Sequence, residues 1–143
     1  MTPQSWESDG GHRAALSMET RRFPNTPGSV TSARRFVQER LDGAPRDVAD
    51  AVTVMTSELA TNSIRHAETD FEVGIDRTPG GIRVEVTDGG DGEPVVREPE
   101  PTAPSGRGLY IVEQLSDDWG IRPAPGGDAK TVWFTVALSS SNS

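Results

Sequence analysis

Apolar residues recur at helical spacing in the first half of the chain. Val48, Val52, Met55 and Leu59 follow one another at steps of four, three and four residues. This spacing is typical of an amphipathic helix with one buried face. The pattern predicts a helix from about residue 45 to residue 67.

A shorter helix is predicted ahead of it. The stretch from Val30 to Leu41 carries apolar residues on one helical face, with Ser29 placed to cap its first turn and Gly43 to end it. A strand is also predicted between Ala15 and Phe23, from a less regular alternation. The first part of the domain therefore reads as a strand followed by two helices.

Beyond residue 67 the apolar period falls from about four to two. Phe71–Ile75 and Ile82–Val86 alternate apolar with polar residues around a Pro79–Gly81 turn, which predicts a β-hairpin with one buried face. In the last predicted strand, Val132, Phe134 and Val136 share one face and Thr131 lies with Trp133 on the other, so that both faces carry large side chains. The remaining predictions are a short helix over residues 110–115 and a final hairpin with strands over 118–122 and 131–138.

Polar side chains interrupt the long predicted helix near its end. Glu58, Asn62 and His66 follow at four-residue steps, so neighbours in this series lie about 40° apart around the helix axis. Asn62 and His66 also fall where the apolar stripe would continue, and an unpaired buried polar group costs on the order of 1 to 3 kcal/mol. Partners must come from the protein or from a ligand. Taken singly, a helical glutamate is usually solvated and such a histidine is usually hydrogen-bonded.

Asp88 is a second polar exception, at the end of a predicted strand. The alternation of that strand continues to Asp88, so its carboxylate is expected on the buried side. An aspartate at this place is by itself most often a turn former. However, Gly89, Gly90 and Gly92 follow at once, and glycines let the backbone approach a ligand closely. The combination predicts a binding site at this end of the strand.

The next segment has features of a lid and of an anion site. Residues 93–105 hold four prolines and no periodic pattern, which predicts a mobile lid. Gly106, Arg107 and Gly108 then open the short helix at Leu109. The free N–H groups and dipole of a helix start suit a phosphate, and a guanidinium adds charge. The same glycines also occur in ordinary loop-to-helix connections.

Composition narrows the possible partners. The chain has 22 acidic and 14 basic side chains, a net charge of -8 and no cysteine. An acidic chain without a basic cluster argues against nucleic-acid binding, and the lack of cysteine excludes disulfides and thiolate metal sites. No apolar run approaches the roughly 18 residues of a membrane span, and no signal-peptide pattern is present. We therefore expect a cytoplasmic protein without membrane contact.

Four short motifs follow one another along the chain: Glu58-x-x-x-Asn62, Asp88-x-Gly90-x-Gly92, Gly106-x-Gly108-Leu109 and a last strand that bears Thr131. In order and spacing they resemble the ATP-binding motifs of the GHKL superfamily, which includes gyrase, heat-shock chaperone, histidine kinase and mismatch-repair ATPases. The phrases ELATNSIRHA, GRGLYIVEQLSDDWG and FPNTPGSVTSAR look like the stand-alone anti-sigma factor serine/threonine kinases. The resemblance extends from Phe23 to Leu138. It implies the Bergerat ATP-binding fold, an α/β two-layer sandwich whose mixed, mostly antiparallel sheet is covered on one face by about three helices.

The resemblance also implies roles for individual residues, with ATP and Mg²⁺ as the bound groups. Asn62 would bind the magnesium ion, Glu58 would be the general base, and Asp88 would accept a hydrogen bond from the adenine amino group. Thr131 would lie near the adenine, although Lys130 precedes it where relatives often carry glycine. The remaining residues expected at the nucleotide are Arg65, His66, Gly90, Gly92, Gly106, Arg107, Gly108 and Leu109.

Two functions are compatible with these motifs. In the first, the protein is a Mg-ATP-dependent serine/threonine kinase that phosphorylates an anti-anti-sigma (STAS-type) protein and sequesters a sigma factor, and the family suggests a homodimer. In the second, it is a non-catalytic module whose bound nucleotide shapes a protein-binding surface. Glu58 favours the first, because a nucleotide sensor needs no base. The expected organisation is an arm over residues 1–14, one ATP-binding domain over 15–138 and a tail over 139–143.

Overall fold

The computed structural model describes residues 18–67, 69–89, 107–123 and 129–138. The predicted arm, lid and tail lie outside these residues, and so do Gly90, Gly92 and Gly106. The described residues form five strands and three helices. In chain order these are β1 (Glu19–Phe23), α1 (Gly28–Glu39), α2 (Arg46–His66), β2 (Phe71–Thr78), β3 (Gly81–Asp88), α3 (Arg107–Leu115), β4 (Asp118–Pro123) and β5 (Lys130–Ala137).

The strands form one sheet in the order β1-β2-β3-β5-β4. Each neighbouring pair of described strands is antiparallel, so the sheet is antiparallel throughout this part of the chain and not mixed as the resemblance implied. The helices pack on one face of the sheet, which confirms the predicted α/β two-layer sandwich. Among the described helices, none is both long and apolar enough to cross a membrane.

The core lies between the helices and the inner face of the sheet. The period of two in β2, β3 and β5 places alternate apolar residues on that face, as the sequence predicted. Each such side chain stabilises the fold by roughly 1.5 to 3 kcal/mol through burial. The central strands and helices contribute Val73, Ile75, Ile82, Val84, Val86, Val132, Phe134, Phe36, Met55 and Leu59.

The outer face of the sheet carries an ordered polar cluster. Glu85 accepts hydrogen bonds from Arg83 at 3.0 Å and from Arg122 at 3.2 Å. The Arg83 guanidinium lies over the Trp133 ring at 4.3 Å from its centroid, and a Cβ at Gly120 would stand only 2.8 Å from that ring. The absence of a side chain at Gly120 therefore makes room for the tryptophan on this face.

Helix α1 begins earlier than predicted. Its N-cap position is Pro27, and no side-chain hydrogen bond caps it. Ser29 lies inside the first turn, where its hydroxyl is 3.2 Å from that of Thr26, so the prediction that Ser29 is the cap was wrong. Gly43 adopts a φ of 84° in the loop after the helix, a conformation that a glycine tolerates without strain.

Candidate functional site

Asp88 ends β3 with its carboxylate on the inner face of the sheet. Its side chain is 4% exposed, which confirms the inward orientation inferred from strand alternation. The Ser63 hydroxyl of α2 donates to Asp88 Oδ2 at 2.6 Å. A helix and a strand are thus joined by a buried, charge-assisted hydrogen bond, a type about twice as strong as one between neutral groups.

A lysine completes this arrangement. Lys130, the first residue of β5, is the cross-strand partner of Asp88, and its Nζ lies 2.5 Å from Asp88 Oδ1. Directly opposed residues of antiparallel strands project to the same face, so the ammonium reaches the carboxylate within the sheet ladder. Ser63 and Lys130 therefore each donate a hydrogen bond to one carboxylate oxygen of Asp88. These three residues form a largely buried cluster.

The buried face of α2 does not continue as the sequence analysis expected. Ser63 and Ala67 are buried, whereas Asn62 is half-buried and His66 is exposed. The prediction that Asn62 and His66 extend the core stripe was wrong, because beyond Leu59 the buried stripe advances by four residues to Ser63 and not by three to Asn62. A step of three or four is equally compatible with helix geometry, and packing decides between them.

Because the buried stripe passes through Ser63, the polar residues predicted as a series on α2 lie at the border of the buried face or outside it. Glu58 and Asn62 are half-buried, and Arg65 and His66 are exposed. A carboxylate and an amide at such a border can reach a ligand without carrying the cost of full burial. Glu58 and Asn62 lie one helical turn apart on the same side of α2, and Ser63 beside them binds Asp88.

Thr131 lies on the opposite side of the sheet from Asp88. It pairs with Thr87 across the ladder, and the two hydroxyls are 2.8 Å apart. Successive strand residues point to opposite faces, so the residue that shares the face of Asp88 is Lys130. The expectation that Thr131 lies beside a base held by Asp88 is corrected by this register.

Helix α3 begins at Arg107, so Arg107 and Gly108 lie in its first turn. Leu109 is 3% exposed and belongs to the core cluster, and α3 packs against α2. Leu109 therefore holds the start of α3 in place against the core. The side chain of Arg107 and the surroundings of Gly108 lie outside the described part of the structure.

Asn25, which was not among the predicted site residues, connects the end of α2 to the loop that follows it. Asn25 Nδ2 donates to the carbonyl of Ala67 at 2.9 Å, at the end of α2, and to that of Thr69 at 3.1 Å. Thr69 Oγ1 in turn accepts the backbone N–H of Gly89 at 3.0 Å. Asn25 therefore connects the end of α2 with the chain just beyond Asp88. Its only sequence signal was its position in the phrase FPNTPGSV.

Replacing Asn25 with alanine is expected to lower stability, because carbonyls near the end of α2 lose their partner. Leaving such a group unsatisfied costs about 1 to 3 kcal/mol, which corresponds to a fall in Tm of roughly 3 to 10 °C for a domain of this size. Thermal unfolding followed by circular dichroism measures it. Gln38→Ala, at an exposed site on α1, is the control. Equal Tm values for the two variants would contradict the role of Asn25.

The described residues contain no group of three or more His, Cys, Asp or Glu side chains that could hold a metal ion. The half-buried amide of Asn62 fits a single protein ligand to Mg²⁺, because this ion commonly keeps several waters and binds through substrate phosphates with one or two protein oxygens. The amide oxygen of Asn62 is therefore suited to a magnesium ion that is bound together with a nucleotide.

Comparisons with known proteins bear on the family and the fold of this chain. The family model for the histidine kinase-like ATPase domain matches residues 23–136, whereas no curated protein matches the sequence. A chain of the SiaB–SiaC complex from Pseudomonas aeruginosa has a TM-score of 0.57 at 13% identity, over 96% of this chain and 99% of that chain. The histidine kinase domain of a blue-light activated kinase from Erythrobacter litoralis EL346 has a TM-score of 0.49 at 25% identity, over 78% of this chain and 59% of that chain. The family model covers most of the sequence, and the chain therefore belongs to the histidine kinase-like ATPase domain family.

Proposed function

We propose that this protein is a Mg-ATP-dependent serine/threonine kinase of the anti-sigma factor type. It phosphorylates an anti-anti-sigma protein of the STAS type and, in its other state, sequesters a sigma factor in the cytoplasm. Family membership implies ATP binding. The observation that carries the proposal is the buried Asp88 carboxylate, bonded to the same helix that presents Glu58 and Asn62.

Asp88 serves the adenine. Its carboxylate accepts hydrogen bonds from Ser63 on Oδ2 and from Lys130 on Oδ1, and an ionised carboxylate has about four acceptor positions, so it can also accept from the amino group of the base. A carboxylate held inside the fold keeps its position before the nucleotide arrives. This preorganisation lowers the cost of binding.

The phosphates lie toward the start of α3 and the end of α2. Backbone N–H groups at the N-terminus of α3 would attract phosphate oxygens, and Asn62 would supply one oxygen to the magnesium ion. The ion would neutralise charge that develops on the transferring phosphoryl group. Arg65 and His66, both exposed on the last turn of α2, are placed to meet an anionic ligand from solvent.

Glu58 acts on the acceptor hydroxyl. It lies one helical turn before Asn62 and is half-buried, so its carboxylate stands beside the proposed magnesium ligand. Phosphoryl transfer depends mainly on positioning and charge stabilisation, and a carboxylate that orients the hydroxyl and takes its proton completes the set. The family resemblance gives serine or threonine as the acceptor.

A protein partner is part of the proposal. The fold is shared with a chain of a two-protein complex, SiaB–SiaC, and the family resemblance adds a sigma factor, an anti-anti-sigma protein and a homodimer. A phosphate on the partner carries about -1.5 to -2 charges at neutral pH. Placed against a protein of net charge -8, it would weaken the complex and release the partner.

Isothermal titration of the full chain with ATP, in Mg²⁺ and in EDTA, tests the nucleotide site. We expect saturable one-site binding that is tighter with Mg²⁺. A folded protein, verified by circular dichroism, that binds neither ATP nor ADP would remove the proposed function.

Asn62→Ala is expected to abolish the magnesium dependence of ATP binding. With the amide gone the ion loses its one proposed protein ligand, so the affinity in Mg²⁺ should fall about tenfold, by the 1 to 1.5 kcal/mol typical of one lost polar contact. In EDTA the variant and the wild type should bind ATP alike. Gln114→Ala, an amide deletion at an exposed site on α3, should keep the wild-type dependence, and an equal magnesium effect in all three proteins would exclude Asn62 as the ligand.

A further inference from the structure

The ion pair between Lys130 and Asp88 lies where the proposed function places the base. The Lys130 side chain is 18% exposed and that of Asp88 is 4% exposed. A long cationic side chain is seldom this buried unless it is paired. Here the pair stands at the end of β3 and the start of β5, two neighbouring strands in the interior of the sheet. The base would therefore meet two charged groups and not one.

The hydrogen-bonding capacity of the pair is complementary to one edge of adenine. Asp88 is an acceptor, and an ammonium carries three N–H donors, of which the bond to Oδ1 uses one. Adenine presents an amino donor at C6 and, next to it, an acceptor at N1. Acceptor and donor groups 2.5 Å apart on the protein match a donor and an acceptor that are neighbours on the base.

We propose that Lys130 is a second base-reading residue, which donates a hydrogen bond to adenine N1 while Asp88 accepts one from the 6-amino group. This inference rests on the proposed function, because it concerns the same nucleotide site. It also assigns to Lys130 the place that the resemblance gave to Thr131, whose hydroxyl bonds Thr87 on the other face. Guanine bound in the same register would set its oxo group against the carboxylate and its N1–H against the ammonium. The pair therefore selects adenine over guanine.

A thermodynamic cycle of two nucleotides and two proteins isolates the proposed contact between Lys130 and adenine N1. ATP and 1-deaza-ATP, in which C–H replaces N1, are titrated calorimetrically into the wild type and into Lys130→Met. In the wild type we expect the loss of N1 to weaken binding by about tenfold or more, as for a hydrogen bond to a charged donor. In Lys130→Met the two nucleotides should bind within about twofold of each other, because the partner of N1 is gone.

Arg122→Met is the matched control. It removes one positive charge from the outer face, where Arg122 bonds Glu85 at 3.2 Å, and it should discriminate between the nucleotides as the wild type does. GTP, titrated into the wild type, should bind at least tenfold more weakly than ATP.

Three results would overturn the role of Lys130 while leaving the nucleotide site in place. The wild type could bind ATP and 1-deaza-ATP equally, a result that does not depend on any variant folding. Lys130→Met could retain the wild-type discrimination. It could also bind ATP more tightly than the wild type, which would show that the lysine competes with the base for Asp88. A wild-type protein that binds no ATP would instead remove the proposed function together with this inference.

Discussion

Replacing Asp88 with asparagine is expected to raise the Kd for MgATP about 10- to 100-fold while the protein stays folded. The amide has nearly the shape of the carboxylate and can still accept the Ser63 hydrogen bond on its oxygen. It loses the charge that strengthens the bond from the adenine amino group, a bond worth about 1.5 to 3 kcal/mol when one partner is ionised. Titration calorimetry with MgATP measures the change, and circular dichroism verifies the fold.

Asp50→Asn provides the control for this experiment. Asp50 is exposed near the start of α2, so the substitution makes the same chemical change away from the buried cluster, and its Kd should stay within about twofold of wild type. The loss of the ion pair with Lys130 gives Asp88→Asn a second effect. The lysine is left without its counter-charge, and a moderate fall in Tm should accompany the loss of affinity. An unchanged Kd for Asp88→Asn would place the base elsewhere.

The orientation of Asp88 could be predicted from the sequence because the alternation of a strand is fixed by its geometry. Once Ile82, Val84 and Val86 were assigned to the buried face, Asp88 had to follow, and the structure confirms that this residue is buried. The hairpin and the long helix were predictable for the same reason, since both show a sustained period. The order of the motifs then indicated the family.

The end of α2 could not be predicted in this way. A helical stripe advances by three or four residues, and only contacts with other elements decide which. Here the deciding contact is the hydrogen bond from the Ser63 hydroxyl to Asp88 Oδ2, at 2.6 Å. The stripe therefore passes Asn62, which stays at the border where a ligand can be reached. The sequence was compatible with a four-residue step from Leu59 to Ser63, but the contact with Asp88 that favours this step exists only in the folded structure.

The pairing of Asp88 with Lys130 depends on register, which is a property of two strands together. A shift of one residue would bring Thr131 to the face of Asp88 and move Lys130 to the outer face. Motif order alone does not specify that shift. The hydrogen bond from Asn25 to the Ala67 carbonyl is likewise long-range, joining residues 42 positions apart, and no local pattern predicts such a contact.

Glu58→Gln is expected to reduce phosphoryl transfer about 10²- to 10⁴-fold, the usual contribution of a positioned general base. ATP affinity should stay within about twofold, because Glu58 acts on the acceptor hydroxyl and not on the nucleotide. Glutamine has the size of glutamate, so the half-buried position on α2 should accept it without loss of packing. Transfer from γ-labelled ATP to a purified STAS-type protein measures the rate, with MgATP affinity determined in parallel by calorimetry.

Two controls decide what the result means. Glu113→Gln makes the same change at an exposed site on α3 and should transfer phosphate at the wild-type rate, and a STAS-type acceptor whose serine is replaced by alanine should take up no label. Equal transfer by wild type and Glu58→Gln would remove Glu58 as the base, although the nucleotide site would stand. If the wild type bound MgATP but labelled none of a panel of STAS-type proteins, the non-catalytic module would be the better account, because the nucleotide would then act only by shaping the surface around α2 and the start of α3.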